Sequence, residues 1–256
     1  VHLSFLHRQF RLPEGYDRRQ GRGVRGTQLS ADTLYAQDVS PSLEVEVADF
    51  GVRIYSLRNM PSGDRYLRVS NFIIPNLCAV PGDTGGDGYN INWHVPIDDA
   101  RHWKYMYTFS RGGRLDLETL RRRNEAEITP DCRLKRNLGN RYLQDREEMQ
   151  SGTYSGLGGF FPTHDAYATE SQGAVQDRTR EHLVSSDIAI VAMRKLLLKG
   201  IEDVHEGREA PHVIREPSVN RFPHLQVLSE VIPASADVRE HVRKICERAA
   251  GVSRSP

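Results

Sequence analysis

The sequence has no surplus of either charge: Lys and Arg number 35, Asp and Glu 34, for a formal net charge of +1. So balanced a chain sets up no general field for nucleic acid or for an anionic membrane. Its basic run, Arg121, Arg122 and Arg123, reads as the solvated face of a helix. Cysteine is scarce. Cys78, Cys132 and Cys246 are odd in number and far apart, which argues against a disulfide framework and a C-x-x-C metal knuckle. The natural setting is a reducing, cytoplasmic compartment. Long apolar runs are missing too: "IAIVAM" and "LLL" fall far short of the ~20 residues that span a membrane. No targeting segment, internal repeat or low-complexity block is visible. No H-E-x-x-H helix offers a hydrolytic zinc site.

What is present is ordinary for a soluble globular protein: 256 residues, 38% hydrophobic and 27% charged. Residues 11–42, rich in Arg and Gly, read as a long loop. The next stretch reads as four strands. "LEVEVADFGVRIYSL" alternates apolar and polar residues, and "DRYLRVSNFIIPNLCAV" follows a turn at Gly63-Asp64. A third strand surrounds Ile91–Ile97, and "HWKYMYTFS" supplies an aromatic fourth. Tight turns between strands predict an antiparallel meander rather than βαβ units.

The second half reads as helical. "DLETLRRRNEAE" (116–127) is amphipathic. A Gly-rich loop, "SGTYSGLGG", leads to a helical stretch beginning near Asp165. The strongest helix follows, with Ser185 or Ser186 as N-cap, a stripe of Ile190, Met193, Leu197, Ile201 and Val204, and Gly207 as its stop. From Ala210 onward Pro recurs, and the polar tail "GVSRSP" reads as loose chain. Strands before helices predict an α+β fold, an antiparallel sheet with long helices over one face.

His2 and His7 are the first candidate for chemistry. On a regular helix, five residues' separation turns them about 140° apart, so they share a ligand only if the helix ends or widens between them. Alone, the pair is equally two unrelated histidines. Two imidazoles and one carboxylate, leaving positions open, suit a non-haem Fe(II) that admits O2 beside a substrate. Asp165, after "GLGGFFPTH", is the best carboxylate offer, and equally a helix N-cap. Asp98 and Asp99 read as turn formers, Arg178 and Glu181 as a helical pair, and His182 and Asp187 as structural.

Three stretches carry a resemblance. "HLSFLH" resembles the second half of the Asp-x-x-His-x-x-x-x-His iron motif of Rieske non-haem iron ring-hydroxylating oxygenases. "NINWHVPIDDARHWKYMY" is similar to central strands of the phthalate-dioxygenase-like and aromatic O-demethylase branch. "THDAYATESQGAVQDRTREHLVSSDIAIVAMRKLLL" resembles that branch's C-terminal helices. They occur in the family's order, and the last is the most specific.

The resemblance implies a helix-grip (START-like) catalytic domain over 1–256, its sheet wrapped around long helices. It implies Fe(II) held by His2, His7 and Asp165. His164 stands where the family more often has Gln, a candidate group behind the ligands. Trp93, His94 and Trp103 are the expected substrate-binding residues, in an apolar cavity lined by their two strands. The implied reaction is O2-dependent ring hydroxylation or O-demethylation of an aromatic acid. Electrons would come from a reductase through a [2Fe-2S] cluster in a longer parent. None of the three cysteines has the Cys-x-His or Cys-x-x-His spacing of that cluster. On this reading the chain begins mid-motif, as the C-terminal part of a homo-oligomer subunit (a trimer or a multiple), with no nucleic acid and no membrane as partner. The rivals are an iron-free cup for a hydrophobic ligand, a structural role in a mixed oligomer, and a zinc hydrolase on the same ligands.

Overall fold

Apolar–polar alternation from Ser42 to Ser110 builds a continuous antiparallel meander. In the computed structural model, which describes residues 2–10, 24–82, 88–111 and 114–252 (side chains of His2, Leu3 and Val252 excepted), the meander has six strands. A short helix α1 (His2–Phe5) and a second, α2 (Ala31–Gln37), precede them. The strands are β1 (Ser42–Ala48), β2 (Gly51–Asn59), β3 (Arg65–Ile73), β4 (Leu77–Pro81), β5 (Gly88–Asp98) and β6 (Arg101–Ser110). Two expected strands are each a pair, because chain-reversing residues interrupt them. Asp49 and Phe50 turn the chain between β1 and β2, and Ile74-Pro75-Asn76 between β3 and β4. At Gly51 φ is +140°, and a Cβ there would lie 2.3 Å from the Phe72 carbonyl oxygen, so only glycine fits. The Gly63-Asp64 turn lies between β2 and β3 as expected, with Gly63 at φ +88°.

The helical half contains α3 (Leu117–Glu127), α4 (Glu148–Ser151), α5 (Phe161–Glu170) and α6 (Ile188–His205). α3 is capped by Asp116, which accepts from Thr119 N at 3.0 Å, and Arg121–Arg123 are exposed on it. Asp187, not a serine, holds the N-cap position of α6 without a side-chain capping bond to the helix; its Oδ2 accepts from Val184 N (2.9 Å) across the preceding turn. Gly207, at φ +76°, follows the end of α6 as expected. The α6 stripe is only partly covered: Met193 and Leu197 are half-buried, whereas Ile190, Ile201 and Val204 are exposed.

Three elements lie where the sequence reading assigns no regular structure. α2 sits inside the predicted 11–42 loop, N-capped by Ser30, with Leu34 and Tyr35 buried; residues 11–23 lie outside the described residues. After Ala210 come β7 (Leu228–Ile232) and α7 (Val238–Val252). β7 pairs with Arg65–Val69 of β3, while Asn71–Ile73 of β3 pairs with β4, so β3 changes partner along its length and the sheet has seven strands. Asp237 Oδ1 accepts from Glu240 N (2.9 Å) and starts α7.

The core sits at the β2-β3-β7 end. Val238, Val242 and Cys246, four residues apart on α7, pack against Tyr55, Leu57, Leu67, Val69, Leu228 and Ile232. Val24, Ala31, Leu34 and Tyr35 close around Tyr66 in a second cluster. These central strands are therefore buried on both faces, a pattern unlike the β5-β6 end. The fold is α+β helix-grip, an open antiparallel sheet with helices. No described helix is long and apolar enough to cross a membrane, and Cys78, Cys132 and Cys246 are free thiols.

Candidate metal centre

The helix α1 ends at Phe5, and His7 lies in the turn that follows, where Arg8 N donates to the Phe5 carbonyl (3.0 Å). A helix ending between His2 and His7 is the condition that lets both imidazoles reach one point. The side chain of His2 lies outside the described residues. His7 is buried.

Opposite His7 stands α5. Phe161, His164 and Asp165 occupy i, i+3 and i+4, so one helix face presents all three. The His7 ring stacks on Phe161, with centroids 4.0 Å apart and planes 12° from parallel. His7 Nε2 lies 3.1 Å from Asp165 Oδ1, across 158 residues of sequence. Asp165 is the fifth residue of α5, not its cap; Phe160 holds the N-cap position, with no side-chain capping bond. The N-cap alternative for Asp165 is thereby removed.

His164 fixes the orientation of His7. Its Nε2 is 2.7 Å from the Gly158 carbonyl, which can only accept, so Nε2 carries the hydrogen. Burial, opposed by that bond to Gly158, pushes the His164 pKa down, which keeps the ring neutral and leaves Nδ1 an acceptor. The 3.1 Å contact between His164 Nδ1 and His7 Nδ1 then requires His7 to donate from Nδ1. His7 Nε2 consequently turns a lone pair toward an Asp165 oxygen. Two electron-rich atoms 3.1 Å apart need a cation between them, either a proton or a metal ion. Ligands set at right angles on a metal, with bonds of about 2.0–2.2 Å, stand about 3 Å apart. The donor set and its spacing fit a divalent transition metal.

The Gly-rich approach to α5 is pinned rather than loose. Gly158 N donates to Glu148 Oε1 (3.1 Å), which also accepts from Thr153 Oγ1 (2.7 Å). Gly156 has φ +65°, and a Cβ on it would lie 2.2 Å from the Asp145 carbonyl oxygen. Leu157 and Phe160 are buried. The loop thus sets the Gly158 carbonyl on which the tautomer of His164 depends.

From the sheet side, Lys104 of β6 reaches Asp165 Oδ2 (3.5 Å). His94 of β5 pairs with Lys104 across the ladder, and its Nδ1 is 2.9 Å from Nε2 of His102. Burial pushes the His94 pKa down to about 4, with the Lys104 and His102 charges acting in the same direction and Asp165 opposing. His94, His102 and Lys104 therefore share the sheet face that meets Asp165.

Trp93 and Trp103 do not. Neighbouring side chains on a strand point to opposite faces. Trp93 pairs with Tyr105, and Trp103 sits under Arg133, whose guanidinium carbon is 4.5 Å from the ring centroid. Only His94 of the three expected substrate residues lies on the Asp165 side. Nor do these strands enclose an apolar cavity as expected: Trp93 is 41% exposed, Tyr105 47%, Tyr107 44% and Phe109 41%. Asp98 serves the β5–β6 turn, accepting from Ala100 N (3.0 Å) and pairing with Arg101 (2.6 Å). Arg178 and Glu181 pair at 3.0 Å, beside a 3-10 turn instead of along an α-helix.

Sequence reasoning missed Phe161, His102 and Lys104. The i, i+3, i+4 spacing of Phe161, His164 and Asp165 was a usable signal. No local signal sets Lys104 beside Asp165, since that contact joins β6 to α5. Among the described residues no three His, Cys, Asp or Glu side chains form a metal-binding group, and the side chain of His2 is outside that set.

A family model described as "LigXa C-terminal domain like" matches residues 26–254. The chain is 31% identical over 181 residues to a phthalate 4,5-dioxygenase oxygenase subunit of Pseudomonas putida, covering 68% of this chain and 40% of that one. It is 26% identical over 171 residues to a phenoxybenzoate dioxygenase subunit alpha of Ectopseudomonas oleovorans, covering 66% and 36%. It is 37% identical over 139 residues to a 5,5'-dehydrodivanillate O-demethylase oxygenase subunit of a Sphingobium species, covering 52% and 27%. The matched stretches span 40% or less of these curated relatives.

Proposed function

The chain belongs to the LigXa C-terminal-domain-like family, and we propose that it is the catalytic part of an aromatic ring-hydroxylating oxygenase, oxygenating an aromatic acid at a mononuclear Fe(II) held by His2, His7 and Asp165. The observation that carries this reading is the 3.1 Å approach of His7 Nε2 to Asp165 Oδ1, with the His7 tautomer set by His164. Bound there, Fe(II) supplies the activation of O2 that no amino-acid side chain supplies.

The chain's own residues do the rest. Asp165 would supply negative charge to the cation and His7 a lone pair that orients it; Phe161 packs flat on His7 and shields one face of the imidazole from water. Asp165 is 40% exposed on its side chain, so the centre opens on the side away from buried His7 and His164. The face bearing His94, His102 and Lys104 borders that opening. An aromatic acid is favoured because the relatives' names specify phthalate, phenoxybenzoate and dehydrodivanillate, each an aromatic carboxylate. Electron supply through a [2Fe-2S] cluster and a reductase, and assembly into a homo-oligomer, complete the proposal.

The test is iron per chain after anaerobic loading, followed by O2 uptake in the full-length parent with a reductant and each of those three acids. The reading expects about one iron per chain and uptake that depends on one of the acids. A chain that takes no iron, or O2 uptake indifferent to all three acids, would overturn it.

A further inference from the structure

Three features stand outside the ligands: the open groove between β1, β2 and α7, the exposed apolar side of α6, and the cationic face of β6 against Asp165. The groove is about 740 Å³ and is lined by charges of both signs that already pair with one another, such as Arg239 with Glu46 and Arg243 with Glu240. Nothing in the structure shows what covers α6. The face of β6 carries an inference.

Three cationic or ionisable side chains, Arg101, His102 and Lys104, lie at the start of β6. Arg101 is committed to Asp98 in the turn, through Nε at 3.0 Å and Nη2 at 2.6 Å. His102 hydrogen-bonds His94. Lys104, two residues on and therefore on the same face as His102, extends to Asp165 Oδ2 at 3.5 Å, and its side chain is 27% exposed. An ammonium has three donors, and this single long contact satisfies at most one of them. The Asp165 carboxylate faces two cation positions at once: Oδ1 toward His7 Nε2, Oδ2 toward Lys104. A metal at Oδ1 draws on the same negative charge that holds Lys104. Lys104 is then a partly exposed positive charge beside the Asp165 carboxylate with its counter-ion shared, able to offer a donor to an anion that approaches there.

We propose that Lys104 anchors the substrate's carboxylate, fixing which ring carbon of the aromatic acid is presented at the His7–Asp165 centre. This rests on the aromatic-acid reading above and adds a specificity residue to it. His102 and His94 flank the anchor with imidazole nitrogens on the same sheet face. A site of this kind needs few polar groups to set orientation, and one charge suffices to reject a neutral analogue.

The test uses the 256-residue chain loaded anaerobically with Fe(II). Binding of phthalate, phenoxybenzoate and 5,5'-dehydrodivanillate is measured by calorimetry for wild type, Lys104→Met and Lys104→Arg, with iron per chain and far-UV spectrum as controls. A charge-assisted hydrogen bond is worth about 10–100-fold in affinity. Lys104→Met should lose that much for the acid that binds, with iron content unchanged, and Lys104→Arg should recover most of it. Equal affinity in Lys104→Met, or iron-loaded wild type that binds none of the three acids, overturns the anchor while leaving the iron centre standing. Absence of iron in wild type overturns the functional reading instead. Should Lys104→Met fail to fold, each acid is compared with its methyl ester on wild type. A preference for the acid of about tenfold or more supports the anchor, and equal binding of acid and ester overturns it.

Discussion

Replacing His164 with Leu removes two bonds and little volume. The side chain is fully buried and so is His7, while Gly158 is half-buried, so the His7 Nδ1–H above all has no water to turn to. Each buried group left without a partner costs about 1–3 kcal/mol, so the metal-free chain should lose about 2–6 kcal/mol of stability if neither relaxes, and less if the loop shifts. The larger diagnostic is metal affinity. Without His164 the bond that sets His7 in the tautomer pointing a lone pair at Asp165 is lost, and loss of such a supporting bond typically weakens binding about 10–100-fold, equivalent to about 1.4–2.7 kcal/mol. His164→Gln separates the two effects, because its amide oxygen can accept from His7 while its NH2 donates to Gly158. Anaerobic Co(II) titrations followed by visible absorbance, with melting midpoints of the same metal-free samples, read both quantities. Leu should weaken Co(II) binding and Gln should restore most of it. Unaltered affinity in the Leu variant, or a Gln variant as weak as Leu, would refute the tautomer argument.

Three further outcomes follow from the same geometry. Asp165→Ala should abolish iron loading while the melting midpoint of the metal-free chain stays close to wild type, since Asp165 caps nothing; unchanged iron with a loss of about 1 kcal/mol would return Asp165 to a structural role. His94 titrates at about 4 in the fold against about 6.5 when unfolded. Its contribution to stability is therefore present above pH 6.5 and lost as pH falls toward 4, so His94→Gln should flatten the acid limb of the stability profile, and an NMR midpoint for His94 near 6.5 would contradict this. Leu67→Ala, in the β2-β3-β7 core and fully buried, should cost about 2–5 kcal/mol in denaturant unfolding yet leave iron per folded chain intact, because that core and the metal centre sit at different ends of the sheet.

The meander and its direction were legible because period-2 alternation survives in β1, β2, β3, β5 and β6. Strand count was under-read where the break falls inside an apolar stretch, as at Ile74-Pro75. α7 escaped because Val238, Val242 and Cys246 are set among charges in "VREHVRKICERAA", after a Pro-rich stretch that reads as loop. The α6 stripe illustrates the opposite limit. Spacing identifies a helix face but not whether anything covers it, and Ile201 and Val204 remain exposed. At the site, the pairing of His7 with Asp165 rested on a family resemblance, since no periodicity joins α1 to α5. The grouping of Trp93 with His94 could have been rejected from sequence, because adjacent strand residues face apart. Lys104 required the fold, which alone brings β6 to α5.

The most direct test is an anomalous difference map at the iron absorption edge from crystals of the chain grown anaerobically with Fe(II). The account predicts one peak bonded to both His7 Nε2 and Asp165 Oδ1, with the imidazole of His2 completing the set. A peak elsewhere, or an Asp165 carboxylate turned from His7 in the iron-loaded crystal, would contradict it.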